Sequence, residues 1–124
     1  MRREERLRAT EDFRRTRAAG RSYPHPLLVL VAARSPAPED GTRVGISAGK
    51  RVGGAVVRNR ARRRVREAVR TRYACLAPGW DLIFVVRAAA AQAPRGAIEA
   101  AVVSVLHKAG LLKMEATCAG SRSP

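Results

Sequence analysis

The stretch from Lys50 to Arg72 constrains this chain more than any other. It carries ten cations (Lys50, Arg51, Arg58, Arg60, Arg62, Arg63, Arg64, Arg66, Arg70 and Arg72) against one acid, Glu67. Among them Val57, Ala61, Val65, Ala68 or Val69, and Tyr73 recur at helical spacing. An α-helix gathers those apolar residues into one core-facing stripe and gives the cations the rest of its circumference. The spacing therefore predicts a helix over 55–73. Arg58, Arg62 and Arg66 stack at i, i+4 and i+8, while Arg60, Arg63, Arg64 and Arg70 fill the neighbouring faces. Like charges at such spacings destabilise a free helix, and solvated helices more usually alternate in sign. A polyanion partner explains the pattern. The whole chain shares the imbalance, with 25 Lys+Arg against 10 Asp+Glu and a net charge of +15 in 124 residues. A compact body of that charge repels itself until an anion neutralises it. Arginine dominates the cations, and its planar fork suits bidentate phosphate contact and base stacking. A compositional bias would account equally well for the ratio of arginine to lysine. It does not account for the net charge.

The remaining elements fit one small domain over 1–113, followed by a disordered tail over 114–124. Thr10 as N-cap, Glu11 and Asp12 in the first turn and Gly20 as the stop predict a helix over 10–19. A short edge strand near Arg21 to Tyr23 precedes the apolar run Leu27 to Ala33, which has strand length. Ser35 to Gly41 holds two prolines and a glycine and makes the turn to a strand at Arg43 to Ser47. After the basic helix, Pro78-Gly79 breaks the chain, Asp81 to Arg87 forms a strand, and Ile98 to Leu112 forms a closing helix. The order is helix, strands, helix, strand, helix: a single α+β domain with one central mixed or antiparallel-rich sheet. Much of the 46% hydrophobic fraction is alanine, so the core should be small.

Several kinds of chemistry find little support. Gly49 to Gly54 leads from a strand into the basic helix but lacks the Walker A order, which argues against a nucleoside triphosphatase. The loop is either a tight glycine turn or a backbone contact for phosphate. His25 and His107 lack acidic or cysteine neighbours at ligand or triad spacing. Asp81 reads as the cap of a strand start and Glu67 as the partner of Arg63 or Arg70, rather than as metal ligands of a nuclease. Trp80 and Phe84 read as core. Cys75 and Cys118 are far apart, with no CxxC, so no zinc site is expected, and thiols in a reducing cytoplasm are. No apolar stretch approaches a membrane span, so a soluble cytoplasmic protein without membrane contact is expected.

The run Arg43-Val44-Gly45-Ile46-Ser47, Gly49-Lys50-Arg51-Val52-Gly53, Ala55-Val56-Val57-Arg58-Asn59-Arg60, Arg62-Arg63 and Arg66-Glu67 resembles the signature of bacterial ribonuclease P protein subunits. An Arg-Asn-Arg triplet alone would mean nothing. Its place after a strand, a Lys-basic-x-Gly loop and Ala-Val-x makes the likeness specific. It extends to Leu7 and Glu11-Asp12-Phe13 on one side, and to Gly79, Asp81, Arg87 and Lys108-Ala109-Gly110 on the other.

The resemblance implies an α+β fold of the kind also found in a ribosomal protein domain, with a left-handed βαβ crossover that departs from the usual hand. It implies that an RNA subunit with bound Mg²⁺ is the catalyst, with no protein metal site and no catalytic side chain in the protein. It implies that Lys50, Arg51, Arg58, Asn59, Arg60, Arg62, Arg63 and Arg66 contact the catalytic RNA or lie beside the 5′ leader of precursor tRNA. The family's leader cleft would use Phe13, with Arg17 and Arg87 as nearby cations, and no protein partner is implied. Arg17 stands where the family often has a second aromatic, and Val31 where it often has another, so the stacking platform is thin. The alternative reading of Phe13 is a helix residue anchoring the core. The alternatives are a general RNA chaperone or ribosomal protein, a DNA-binding module and an autonomous ribonuclease; the ordered signature favours the first reading over all three. Anions that bind only the native state should stabilise it, by about 2.7 kcal/mol at a hundredfold excess over Kd.

Overall fold

Alternation along the strands decides which helix covers which side of the sheet. The computed structural model describes residues 10–112, so Leu7 and the expected tail from Met114 lie outside the described residues. Three helices, α1 (Thr10–Ala19), α2 (Ala55–Arg70) and α3 (Arg95–Lys108), pack on strands β1 (Arg21–Pro24), β2 (Leu28–Arg34), β3 (Arg43–Ala48) and β4 (Trp80–Val86). The sheet order is β1-β2-β4-β3, with β1 and β4 each antiparallel to β2 and β3 parallel to β4. The sheet is thus mixed, and α2 is the crossover between the two parallel strands.

On one side of the sheet Leu28, Leu30, Val44, Leu82, Phe84 and Val86 meet Val65 and Val69 of α2 and Ile98, Val102 and Leu106 of α3. Phe84 is fully buried there, and truncating such a residue to alanine costs about 3–5 kcal/mol. The opposite side buries Val31 and Ile83 beneath Phe13 of α1, with Val29 and Val85 half-covered. The two-residue period places these odd-numbered positions of β2 and β4 on the second face.

The structure moves several element boundaries. Thr10 is already helical in α1, not its N-cap. Gly20 does end that helix, but for a reason other than a left-handed turn. A Cβ there would lie 2.5 Å from the Thr16 carbonyl oxygen and 2.7 Å from Val31 Cγ1, so only glycine lets the chain pass this close to β2. β1 runs one residue further, to Pro24, which the outer strand tolerates because no ladder N–H is needed there. β2 and β4 are shifted by one residue, and a short 3₁₀ turn at Pro38–Asp40 occupies the loop before β3.

α2 stops at Arg70 instead of Tyr73. Tyr73 begins a 3₁₀ turn, and its hydroxyl donates to the Thr42 carbonyl while its ring packs on the core. α3 begins one turn earlier than Ile98, after Pro94, and ends at Lys108, with Gly110 in the left-handed region (φ 71°). Leu112 pairs instead with Leu76 in an isolated bridge. Cys75 is buried and disulfide-bonded, contrary to the expected free thiol. Among the described residues no helix is long and apolar enough to cross a membrane.

Candidate nucleic-acid interface

The basic helix is positioned by the loop before it. A 3₁₀ turn at Lys50–Val52 buries Val52 and leaves Lys50 and Arg51 exposed. Gly53 then adopts φ 149°, and a Cβ there would lie 3.0 Å from the Val57 side chain. A larger residue would push the first turn of α2 away from the loop. Ala61, Val65, Ala68 and Val69 anchor the helix in the core. With that stripe turned inward, a helical turn of 3.6 residues sorts the cations onto two flanks.

One flank, toward β3, carries Arg58, Asn59, Arg62 and Arg66. Arg62 donates to Asn59 Oδ1 and, at 3.5 Å, to the Ala48 carbonyl at the end of β3. Arg58 is half-buried, and its Nε lacks a hydrogen-bond partner. The other flank, toward α3, carries Arg60, Arg63, Arg64 and Glu67. Arg64 donates to the Ala93 carbonyl at 3.4 Å, just before α3. Glu67 accepts from Arg70, one of the two partners expected for it. That hydrogen bond, then the nearby Arg70 and Arg95 charges, hold the Glu67 carboxyl below its ordinary range. The ion pairs among the described residues involve Arg15, Arg43, Arg70 and Arg72, and so leave Lys50, Arg51, Arg58, Arg60, Arg62 and Arg63 without an acidic partner.

A model of the family described as Ribonuclease P matches residues 1–110. The chain belongs to the ribonuclease P protein family. The ribonuclease P protein component of Herpetosiphon aurantiacus is 49% identical over 111 residues, covering 90% of this chain and 89% of that protein. That of Roseiflexus castenholzii is 45% identical over 114 residues, covering 91% and 92%. A solved structure of a Staphylococcus aureus RNase P protein mutant has a TM-score of 0.80 at 28% identity, covering 87% of this chain and 90% of that one.

Within this family frame, the residues expected at an RNA surface share one helix and its preceding loop but divide between its two flanks. The residues expected at a leader cleft lie on the other face of the sheet. Phe13 is half-buried on Val31 and Ile83, so it anchors α1 while keeping part of its ring open. Arg17 is exposed one turn further along α1. Arg87 is exposed and follows β4 in extended conformation (φ −97°, ψ 162°), its N–H donating to the Leu27 carbonyl. Alternation continues the row Ile83, Val85, Arg87 along the α1 side of the sheet.

The same face holds a cluster that the sequence conceals. The Asp81 side chain is fully buried and accepts from Arg43 Nε at 3.0 Å, Arg43 Nη2 at 2.8 Å and Arg15. Asp12 joins it, 3.3 Å from Arg43 and 3.6 Å from Arg15. The hydrogen bond to Asp81 leads the causes that hold the Arg43 guanidinium above its ordinary range, against the opposing effect of burial. Asp81 is thus the hub tying α1 to β3 and β4, more than the cap of a strand start. Of the other candidates, His25 accepts from the Leu27 N–H at 3.1 Å, His107 is exposed, and Trp80 is half-buried with Arg34 4.8 Å above its ring. Among the described residues no three His, Cys, Asp or Glu side chains gather as a metal site.

Proposed function

We propose that this chain, as the protein subunit of a ribonuclease P, binds the catalytic RNA and the 5′ leader of precursor tRNA. It thereby assists Mg²⁺-dependent hydrolysis that releases the mature tRNA 5′ end. The observation that carries this reading is the set Lys50, Arg51, Arg58, Arg60, Arg62 and Arg63, which have no acidic partner among the described residues and flank a buried apolar stripe. In the protein alone they repel one another; against phosphates they form charge-assisted hydrogen bonds.

In this reading the chemistry belongs to the RNA and its Mg²⁺. Asp12 and Asp81, which share the guanidinium groups of Arg15 and Arg43, are neutralised by them and do not fit a metal. Lys50, Arg51, Arg58, Asn59, Arg60, Arg62, Arg63 and Arg66 supply phosphate contacts. Phe13 offers an aromatic face to a leader base, with Arg17 and Arg87 as flanking cations. Stacking of this kind is worth about 1–3 kcal/mol per base. The setting is a bacterial cytoplasm.

The test is precursor-tRNA cleavage by a bacterial ribonuclease P RNA at low Mg²⁺, with and without the protein. Stimulated cleavage at the mature 5′ end is expected. Tight RNA binding without stimulation would shift the reading to a general RNA chaperone.

A further inference from the structure

We propose that the groove between α2 and the start of α3 is a second phosphodiester site, separate from the α2 flank that carries Arg58 and Arg62. The inference rests on the RNA-binding reading and goes beyond it by dividing the contacts between two sides of one helix. The groove has a volume of about 250 Å³ and is lined by Arg60, Arg63, Arg64, Glu67 and Arg95. Four guanidinium groups therefore converge on one concave surface with a single carboxylate. Spacings of i, i+3, i+4 and i+7 put the α2 residues on one flank, and Arg95 faces them from the first residue of α3.

Three features make this groove a receptor for an anion. Arg64 is tied to the Ala93 carbonyl at 3.4 Å, which fixes one wall. Arg60 and Arg63 enter no ion pair among the described residues, so their charge is left for a ligand. Glu67 spends its hydrogen bond on Arg70, outside the groove lining, so one carboxylate stands against four guanidinium groups there and offsets their charge only in part. α3 also begins without a side-chain cap, and its first-turn N–H groups add to the positive potential beside Arg95. Converging like charges on a concave surface cost electrostatic energy until a phosphate enters. Arginine forks, unlike ammonium groups, grip one phosphate through two oxygens at once.

The ligand is a phosphodiester group of RNA, supplied either by the catalytic RNA or by precursor tRNA. The two sources separate when the salt dependence of binding is measured for each: the catalytic RNA with the protein alone, and precursor tRNA with the assembled holoenzyme. The variant is Arg63→Gln with Arg95→Gln, both exposed and free of the Ala93 tie. Inorganic pyrophosphate titrated into the full chain serves as the small probe.

The site predicts a pyrophosphate Kd raised at least about tenfold in this variant, equivalent to losing one charge-assisted hydrogen bond, with an unchanged circular dichroism spectrum. It also predicts a slope of log K against log salt shallower by about 1–2 for one of the two RNAs, which then identifies the source. Unchanged pyrophosphate affinity and unchanged slopes for both RNAs would overturn the proposal. Precursor-tRNA cleavage stays a separate readout: a protein that holds pyrophosphate here yet never stimulates cleavage would sink the ribonuclease P reading and leave the groove standing.

Discussion

Two groups of arginines in this molecule have opposite circumstances. At the start of β4, Arg15 and Arg43 converge on the buried Asp81, with Asp12 completing the set. Along α2 and the loop before it, cations crowd together with almost no acid. The first group is neutralised within the fold and holds α1 on the sheet. The second is left for a partner outside it. Residue type is the same in both places; the supply of carboxylates separates an arginine that builds the structure from one that, in the proposed function, contacts RNA.

The sharpest way to break this comparison is at the hub. Asp81→Asn should cost about 3 kcal/mol in urea or thermal unfolding. That is the low end for a broken buried pair, because Arg15 and Arg43 keep some contact with water. RNA affinity of the folded fraction should stay near that of the unaltered protein. On the α2 side the consequences reverse. Arg58→Ala with Arg62→Ala should leave stability unchanged or slightly improved, and make the slope of log K against log salt shallower by about 2 for RNA binding. A stability loss in that variant as large as that of Asp81→Asn would erase the distinction.

The basic helix was legible because its apolar stripe and its charges obey one period, and the Arg-Asn-Arg signature sits where that period begins. The strands at 27–33, 43–47 and 81–87 were legible to within a residue because each is apolar and bounded by turn residues. Asp81 was not. Its partners lie 38 and 66 residues away in sequence, and nothing local marks a carboxylate that distant arginines will bury. The groove was hidden for the same reason: Arg95 reaches the α2 flank only once α3 packs there, and the start of α3 lies in an alanine-rich stretch with no strong cap signal. Gly20 was legible as a helix end, but its role, the close approach to Val31, depends on tertiary contact.

Smaller effects refine the contrast. Thr16 is fully buried in α1 with its hydroxyl unpaired, on the same side of the sheet as the Asp81 hub. Thr16→Val should leave the unfolding free energy unchanged or raise it by about 1 kcal/mol, since it removes an unsatisfied hydroxyl. A clear loss would mean that the hydroxyl has a bound-water partner.

The smallest effect belongs to the exposed pair of Glu67 and Arg70. Arg70 holds the Glu67 carboxyl below its ordinary range, so its contribution is complete above the unfolded carboxylate value. It fades as the pH falls through the lower folded value. Glu67→Gln should therefore flatten only the acid limb of the stability profile, weakly and less so at high salt. An altered limb near neutral pH would point to a different titrating group.

The central claim is that the α2 cations Arg58, Arg60, Arg62 and Arg63, which enter no ion pair among the described residues, are the surface through which this protein serves its RNA. The direct measurement is precursor-tRNA cleavage at low Mg²⁺ by ribonuclease P RNA, comparing the unaltered chain with Arg58→Ala plus Arg60→Ala, one residue from each flank. The account predicts strong stimulation of 5′ cleavage by the unaltered protein and its loss in the double variant, with both proteins equally folded. Equal stimulation by the two would contradict it.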